Sequence, residues 1–210
     1  VSDSYQIAAE ALLGSYLQAA DYDGALKLAE EALAKIAPPG QPNPGAMAKV
    51  SQLLADIANA AGRYPESRAW ASKAVAIAET MPEPEHNRLA GALNSLARAE
   101  RALANHASAE ALYLRAIPLM EAQGQLANTG IMSDNLAVLY GEMGRYELAE
   151  PHHKRALQLL EQALGREHRV VGEAAGNFGA FLIAVGRYGE AGPLLLRNLE
   201  IAAAQTPPDP

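Results

Sequence analysis

The run Asn135-Leu136-Ala137-Val138-Leu139-Tyr140-Gly141-Glu142-Met143-Gly144-Arg145-Tyr146-Glu147-Leu148-Ala149-Glu150 decides the fold. Apolar residues recur at helical spacing up to Tyr140, the pattern stops at Gly144-Arg145-Tyr146, and a second helical pattern starts at once. Glycine is suited to that stop because it takes the left-handed backbone without a Cβ clash. Working outward, the same punctuation stands at Gly62-Arg63-Tyr64 and Gly186-Arg187-Tyr188, with weaker copies at Ala20-Asp21-Tyr22 and Ala104-Asn105-His106. Read at the third residue, the five copies are 42, 42, 40 and 42 residues apart. A near-constant period of this length is the mark of stacked supersecondary units. Three residues after each aromatic comes a small residue, Ala25, Ser67, Ala109, Ala149 or Ala191, and seven further on another, Ala32, Ala74, Ala116 or Ala156. Asn198 breaks this second row in the fifth unit.

Each unit reads as a helical hairpin, in which the small residues let the second helix approach the first and the Tyr or His plugs the gap to the neighbouring hairpin. First helices are predicted over about 4–19, 46–61, 85–104, 126–143 and 168–185, and second helices over about 22–37, 65–80, 107–122, 147–164 and 189–204. The repeats therefore span about 4–37, 46–80, 85–122, 126–164 and 168–204, a single array over 1–204 followed by a Pro-rich tail, 205–210. Pro38-Pro39-Gly40-Gln41-Pro42-Asn43-Pro44 and Pro82-Glu83-Pro84 read as turns at the joints. They are too short and stiff to separate domains, and the repeat phase continues across them.

Composition agrees with an all-α reading: the 210 residues are 50% hydrophobic but only 5% aromatic, which favours close helix packing over a β-sandwich. Seventeen Lys and Arg against 24 Asp and Glu give a net charge of −7. No basic run exceeds two residues, so the electrostatic footprint for nucleic acid or an anionic membrane is missing. The absence of cysteine excludes disulfides and thiolate chemistry. No apolar run approaches the roughly 18 residues a spanning helix needs. We read the chain as cytoplasmic and, because it starts at Val1 rather than Met, as a cut or processed product.

Catalytic patterns are not found. The histidines are His86, His106, His152, His153 and His168. Adjacent His152 and His153 point about 100° apart on a helix, which does not suit shared metal ligation. His106 reads as a stand-in for the inter-repeat Tyr, and His168 as a helix cap. Phosphate-loop, dinucleotide and nucleophile-elbow motifs are absent. We therefore expect no enzyme, no cofactor and no metal site.

The stretches Asn135 to Tyr140, Gly144-Arg145-Tyr146, Ala149-Glu150-Pro151, Lys154-Arg155-Ala156-Leu157 and Leu164-Gly165-Arg166-Glu167-His168 resemble the tetratricopeptide repeats of kinesin light chains, whose units are also near 42 residues. The resemblance implies a right-handed α-solenoid superhelix of five such hairpins, a non-catalytic scaffold or adaptor binding an extended peptide along its concave wall. It further implies that the first helix of each hairpin lines that wall. Carried over position by position, the groove set is Glu10, Gln18, Lys49, Gln52, Asp56, Asn59, Asn94, Ser95, Arg98, Arg101, Asp134, Asn135, Val138, Glu142, Glu173 and Asn177. Asn94, Asn135 and Asn177 fall where the family carries peptide-contacting asparagines. Arg98 and Arg101 share a face and point to a partner with acidic residues; the rival reading pairs them with Asp56, Asp134 or Glu142.

Trp70 reads as packing on the outer face, or as a partner patch. A regulatory sensor segment of a larger signalling protein is the alternative function. Leu194-Leu195-Leu196 span nearly a full turn and cannot all face repeat four, so we expect a partner surface on the last helix, open to a second copy of the chain.

Overall fold

The computed structural model describes residues 21–36, 43–81 and 86–205. Among them nine α-helices follow one another and no strand occurs: α1 (Tyr22–Ile36), α2 (Pro44–Ala60), α3 (Tyr64–Glu79), α4 (His86–Ala102), α5 (His106–Glu121), α6 (Leu126–Glu142), α7 (Tyr146–Leu164), α8 (Arg169–Ala184) and α9 (Tyr188–Gln205). The chain divides into two compact units, one ending at Leu119 and the other beginning at Met120, inside α5. The predicted helix over about 4–19, with Glu10 and Gln18, lies outside the described residues, as do 37–42, 82–85 and the tail beyond Gln205.

The boundaries follow the sequence to within two residues, and the departures have local causes. Pro44, assigned to the joint, instead opens α2 as its first helical residue; its missing N–H costs nothing there, and its fixed φ suits a helix start. Asn43 caps that end, its side chain accepting the Ala46 N–H at 3.1 Å. His168 caps α8 as expected, Nδ1 accepting from the Val170 N–H at 3.2 Å.

The punctuation is one turn used four times. Gly62, Gly144 and Gly186 have φ of 74°, 69° and 79°. After each, the Arg N–H donates back to the carbonyl five residues earlier: Arg63 to Ala58, Arg145 to Tyr140 and Arg187 to Leu182, each at 2.8 Å. This is the Schellman closure, which satisfies carbonyls the helix end would leave open. In repeat three Asn105 makes the same bond to Glu100, so Ala104 is forced to φ 59°. A residue with a Cβ pays about 1–2 kcal/mol for that backbone. Ala104→Gly is therefore expected to stabilise the protein by about 1 kcal/mol after the extra freedom of an unfolded glycine is subtracted. In a thermal melt the midpoint should rise by about 2–4 °C; an unchanged or lower midpoint would contradict it.

The first small row packs as predicted: Ala25, Ser67, Ala109, Ala149 and Ala191 are all buried. Within the second row Ala74, Ala116 and Ala156 are fully buried. The exception at Asn198 has its own solution, because α8 carries Gly172 and Gly176 opposite it; a Cβ on Gly176 would lie 2.5 Å from the Asn198 amide nitrogen. In the first unit Ala25, Ala46, Val50, Leu54, Ile57 and Ala58 form a core onto which Trp70 packs, with Lys73 over its ring. In the second, Leu160, Val171 and Ala174 play that part, joined by Ile131, Leu157, Leu164 and Val170. The aromatic plug is only partial: Tyr146 meets Phe181 edge-on at 6.0 Å, yet Tyr64 and Tyr146 stay over a third exposed, because each starts its helix at the rim of the turn.

Ionic straps run over the outer surface. Arg115 pairs with Glu79, Arg155 with Glu121 and Arg197 with Glu161. Every one joins the ninth residue after an aromatic to the fifteenth after the preceding one. The Arg of the punctuating triplet reaches back too, Arg63 to Asp23 and Arg187 to Glu150. Hydrogen bonds from Lys154 and Arg187 hold the Glu150 carboxyl below the usual range. The exposed pairs among these contribute about 0–1 kcal/mol apiece, whereas Arg187–Glu150 and Arg197–Glu161 are half-buried.

Candidate functional site

In the first unit α2 and α4 lie side by side and bring the polar residues of the predicted wall together. Lys49, Gln52, Asp56, Asn59, Asn94, Arg98 and Arg101 are half-buried and Ser95 is buried, which is unlike a merely solvated face. Asp56 organises them. Arg98 donates to its carboxylate at 3.1 Å and to the Asn59 side-chain carbonyl at 3.4 Å, while Ser95 donates to Asp56 at 3.0 Å. Burial pushes the Asp56 carboxyl above its ordinary value, against the pull of Arg98, Ser95 and Lys49. Arg98 thus adopts the pairing weighed as its rival role. Gln52 lies flat against Gly91, where a Cβ would come within 3.0 Å of the Gln52 amide oxygen.

In the second unit the wall is built on Asp134, which is buried in α6. His153 of α7 places Nδ1 2.9 Å from one carboxylate oxygen, and Asn177 of α8 donates Nδ2 to the other at 2.7 Å. Carboxylate oxygens only accept, so these contacts assign a proton to Nδ1 and fix the Asn177 amide with Oδ1 as its remaining acceptor. His153 is 2% exposed, stacked on Phe178 at 5.4 Å and tilted against Phe181 at 5.3 Å. His152 points elsewhere, its ring 5.6 Å from Tyr140, and burial lowers its pKa.

Beside this network lies a pocket of about 310 Å³. Val138, Ala180, Phe181 and Ala184 form apolar walls; Glu142, Tyr146, His153 and Asn177 supply the polar points. Its volume is about twice that of a cavity that admits benzene. Glu173 stands farther along α8, ion-paired with Arg169.

Counted from the aromatic of each repeat, the three asparagines do not form one row. Asn94 is twelve residues ahead of His106 and shares that place with Gln52, Asp134 and Gly176, whereas Asn135 and Asn177 are eleven ahead and share theirs with Leu53 and Ser95. Two adjacent rows of the first helix contribute, the positions two and one before the Leu-Ala pair at Leu96-Ala97 and Leu136-Ala137. Sequence reasoning also missed His153. A polar residue where the other described repeats have Ala71, Tyr113 and Leu195, facing an Asp in the paired first helix, was the available signal. Among the leucines, Leu195 turns inward onto Gly179, Leu194 is half-buried and Leu196 is exposed, so the three do not share one face and only Leu196 stands open to solvent.

Among the described residues no group of three His, Cys, Asp or Glu side chains could hold a metal, and no helix is long and apolar enough to cross a membrane. None of the curated proteins compared with the chain matches it. Among solved structures, BtubC (BKLC) from P. vanneervenii is 23% identical with a TM-score of 0.74, covering 96% of this chain and 82% of its own. Nearly identical TPR-like repeats of a Podosopora anserina protein described as a candidate kinesin light chain are 22% identical with a TM-score of 0.69, covering 95% of each chain. The Rap conjugation gene regulator of plasmid pLS20, solved with the Phr* peptide, is 14% identical with a TM-score of 0.79; the match covers 91% of this chain and 52% of that one. The family model for the tetratricopeptide repeat matches residues 46–122 and 128–204. With these two stretches, well over half of the chain, so matched, the chain belongs to the tetratricopeptide repeat family.

Proposed function

We propose that the chain is a non-catalytic adaptor whose five hairpins act as one array and whose first helices hold an extended peptide. The observation that carries this reading is the Asn177 amide, locked by Asp134 beside the 310 Å³ pocket. An amide whose NH2 is already engaged offers its oxygen to a peptide N–H, irrespective of the peptide's side chains. The adjoining apolar walls then take one aliphatic or aromatic side chain, the usual composition of a specific pocket. Asn135, in the same unit, extends the polar track, and Asn94 stands on the polar face of the first unit. Arg101 and the Asp56-paired Arg98 favour acidic residues in the peptide, with the Arg98 contribution reduced by its partner.

Selection from a library of random 12-residue peptides displayed on phage tests the proposal. The wild-type chain is expected to enrich binders, and Asn135→Ala/Asn177→Ala to weaken them at least tenfold, about 1.4 kcal/mol, with an unchanged circular dichroism spectrum. Equal binding by the double variant would sink the asparagine clamp. A second reading, a sensor segment of a larger regulatory protein, is supported by the likeness to a peptide-bound Rap regulator of which this chain spans about half.

A further inference from the structure

Two rows of first-helix residues set the character of the pocket in the second unit. Eight residues ahead of the aromatic, the first unit carries Asp56 on α2 and Arg98 on α4, and their ion pair bridges the two helices. The second unit has Val138 on α6 and Ala180 on α8 in those places, and both wall the 310 Å³ pocket. Short apolar side chains cannot make such a bridge, so the space that the ion pair takes up in the first unit stays open here. Four residues ahead of the aromatic, the described repeats read Ala60, Ala102, Glu142 and Ala184. The one charged residue of that row therefore stands at the pocket.

No cation answers it from within the lining: among the described residues that line the pocket none is Lys or Arg. Arg145, one turn beyond Glu142, lies over the Tyr140 ring at 4.8 Å, and Arg187 is held by Glu150 and Glu190. Asp134 brings a second carboxylate to within one hydrogen bond of the lining, through His153 and Asn177. A carboxylate has about four acceptor sites, so Glu142 can take a donor from a ligand in addition to any bond it already makes.

We propose that this pocket selects a basic side chain of the bound peptide, a Lys or Arg whose aliphatic stem lies against Val138, Ala180 and Phe181 and whose cationic head meets Glu142. The inference rests on the peptide-groove reading and names the residue class anchored in the second unit. Side chains of this type bury their methylenes along apolar surface and keep the charge in water. Glu142 is exposed, so the head is not stripped of its hydration when the stem enters.

The test is a titration of the whole isotopically labelled chain with n-butylammonium, 1-butanol and butyrate, which share a stem and differ in the charge of the head. At matched ionic strength the methyl signals of Val138, Ala180 and Ala184 are expected to saturate with n-butylammonium at a concentration about fivefold below that for 1-butanol, the size of an exposed ion pair, and to respond least to butyrate. Glu142→Gln should bring n-butylammonium level with 1-butanol, and Glu142→Lys should reverse the order in favour of butyrate, both with unchanged circular dichroism. A reversal of that kind is not produced by a loss of structure. Equal response to the three probes, no saturable shift with any of them, or a preference for n-butylammonium that survives Glu142→Lys overturns the inference. Failure of the peptide reading is separate, since it would show as no binder recovered from the phage library, whereas these probes carry no peptide bond.

Discussion

Asp134→Ala is expected to cost about 3 kcal/mol, the largest loss from any single side chain of the site. Asp134 and His153 are both buried, and each satisfies the other. Removing one member of a buried polar pair costs far more than the pair contributes, because the survivor keeps its desolvation penalty without its partner. Here the survivor is an imidazole shut between Phe178 and Phe181, and Asn177 loses its anchor as well. In a thermal melt followed by circular dichroism the midpoint should fall by about 6–12 °C. The same logic predicts strong non-additivity. His153 shares its place with Leu195, so Asp134→Ala/His153→Leu should recover much of the loss by removing both polar groups together. Additive losses in the double variant would show that the two side chains act independently.

The second large effect is steric. Gly130 lies at a close approach of α6 and α7: a Cβ there would stand 2.7 Å from Leu160 Cγ and 3.2 Å from the Ala156 carbonyl oxygen. Leu160 is fully buried and has little room to retreat. Gly130→Val gains a few tenths of a kcal/mol in helix propensity, but overpacking a tight contact costs about 1–3 kcal/mol or more. A net loss of about 2–3 kcal/mol is expected. Gly189→Ala is the control, since its Cβ would meet nothing within 4 Å; there propensity alone operates and stability should rise slightly. If Gly130→Val melted at or above the wild-type midpoint, the close approach of α6 and α7 would be misplaced.

The hairpins were legible because punctuation and periodicity are local. Gly144 stops a helix through its own φ, and Ala149 is small because one helix must pass another; both facts are written in residue type. Ala104 was readable as a weak copy of the turn, and the strain that follows is a property of its Cβ. The polar network was not legible, because Asp134, His153 and Asn177 sit on three helices and meet only once the hairpins stack. Arg98 shows the same limit: its charge could equally serve a ligand or Asp56, and the geometry between α2 and α4 chose the carboxylate. The Arg and Glu straps were within reach, since aligning the repeats on their aromatics sets Arg115, Arg155 and Arg197 in one column. On α9 the three-leucine run announced excess apolar surface, but which leucine faced outward depended on Gly179 opposite Leu195.

The most direct test of the peptide groove is a titration of the isotopically labelled chain with a phage-enriched 12-residue peptide, followed by amide and side-chain NMR shifts. Saturable shifts are expected on first-helix residues of the second unit, among them Asn135, Val138 and the Asn177 side-chain amide, with Trp70 and the Arg155 strap undisturbed. Shifts confined to the second helices α3, α5 and α7, with the Asn177 amide unmoved, would contradict the groove.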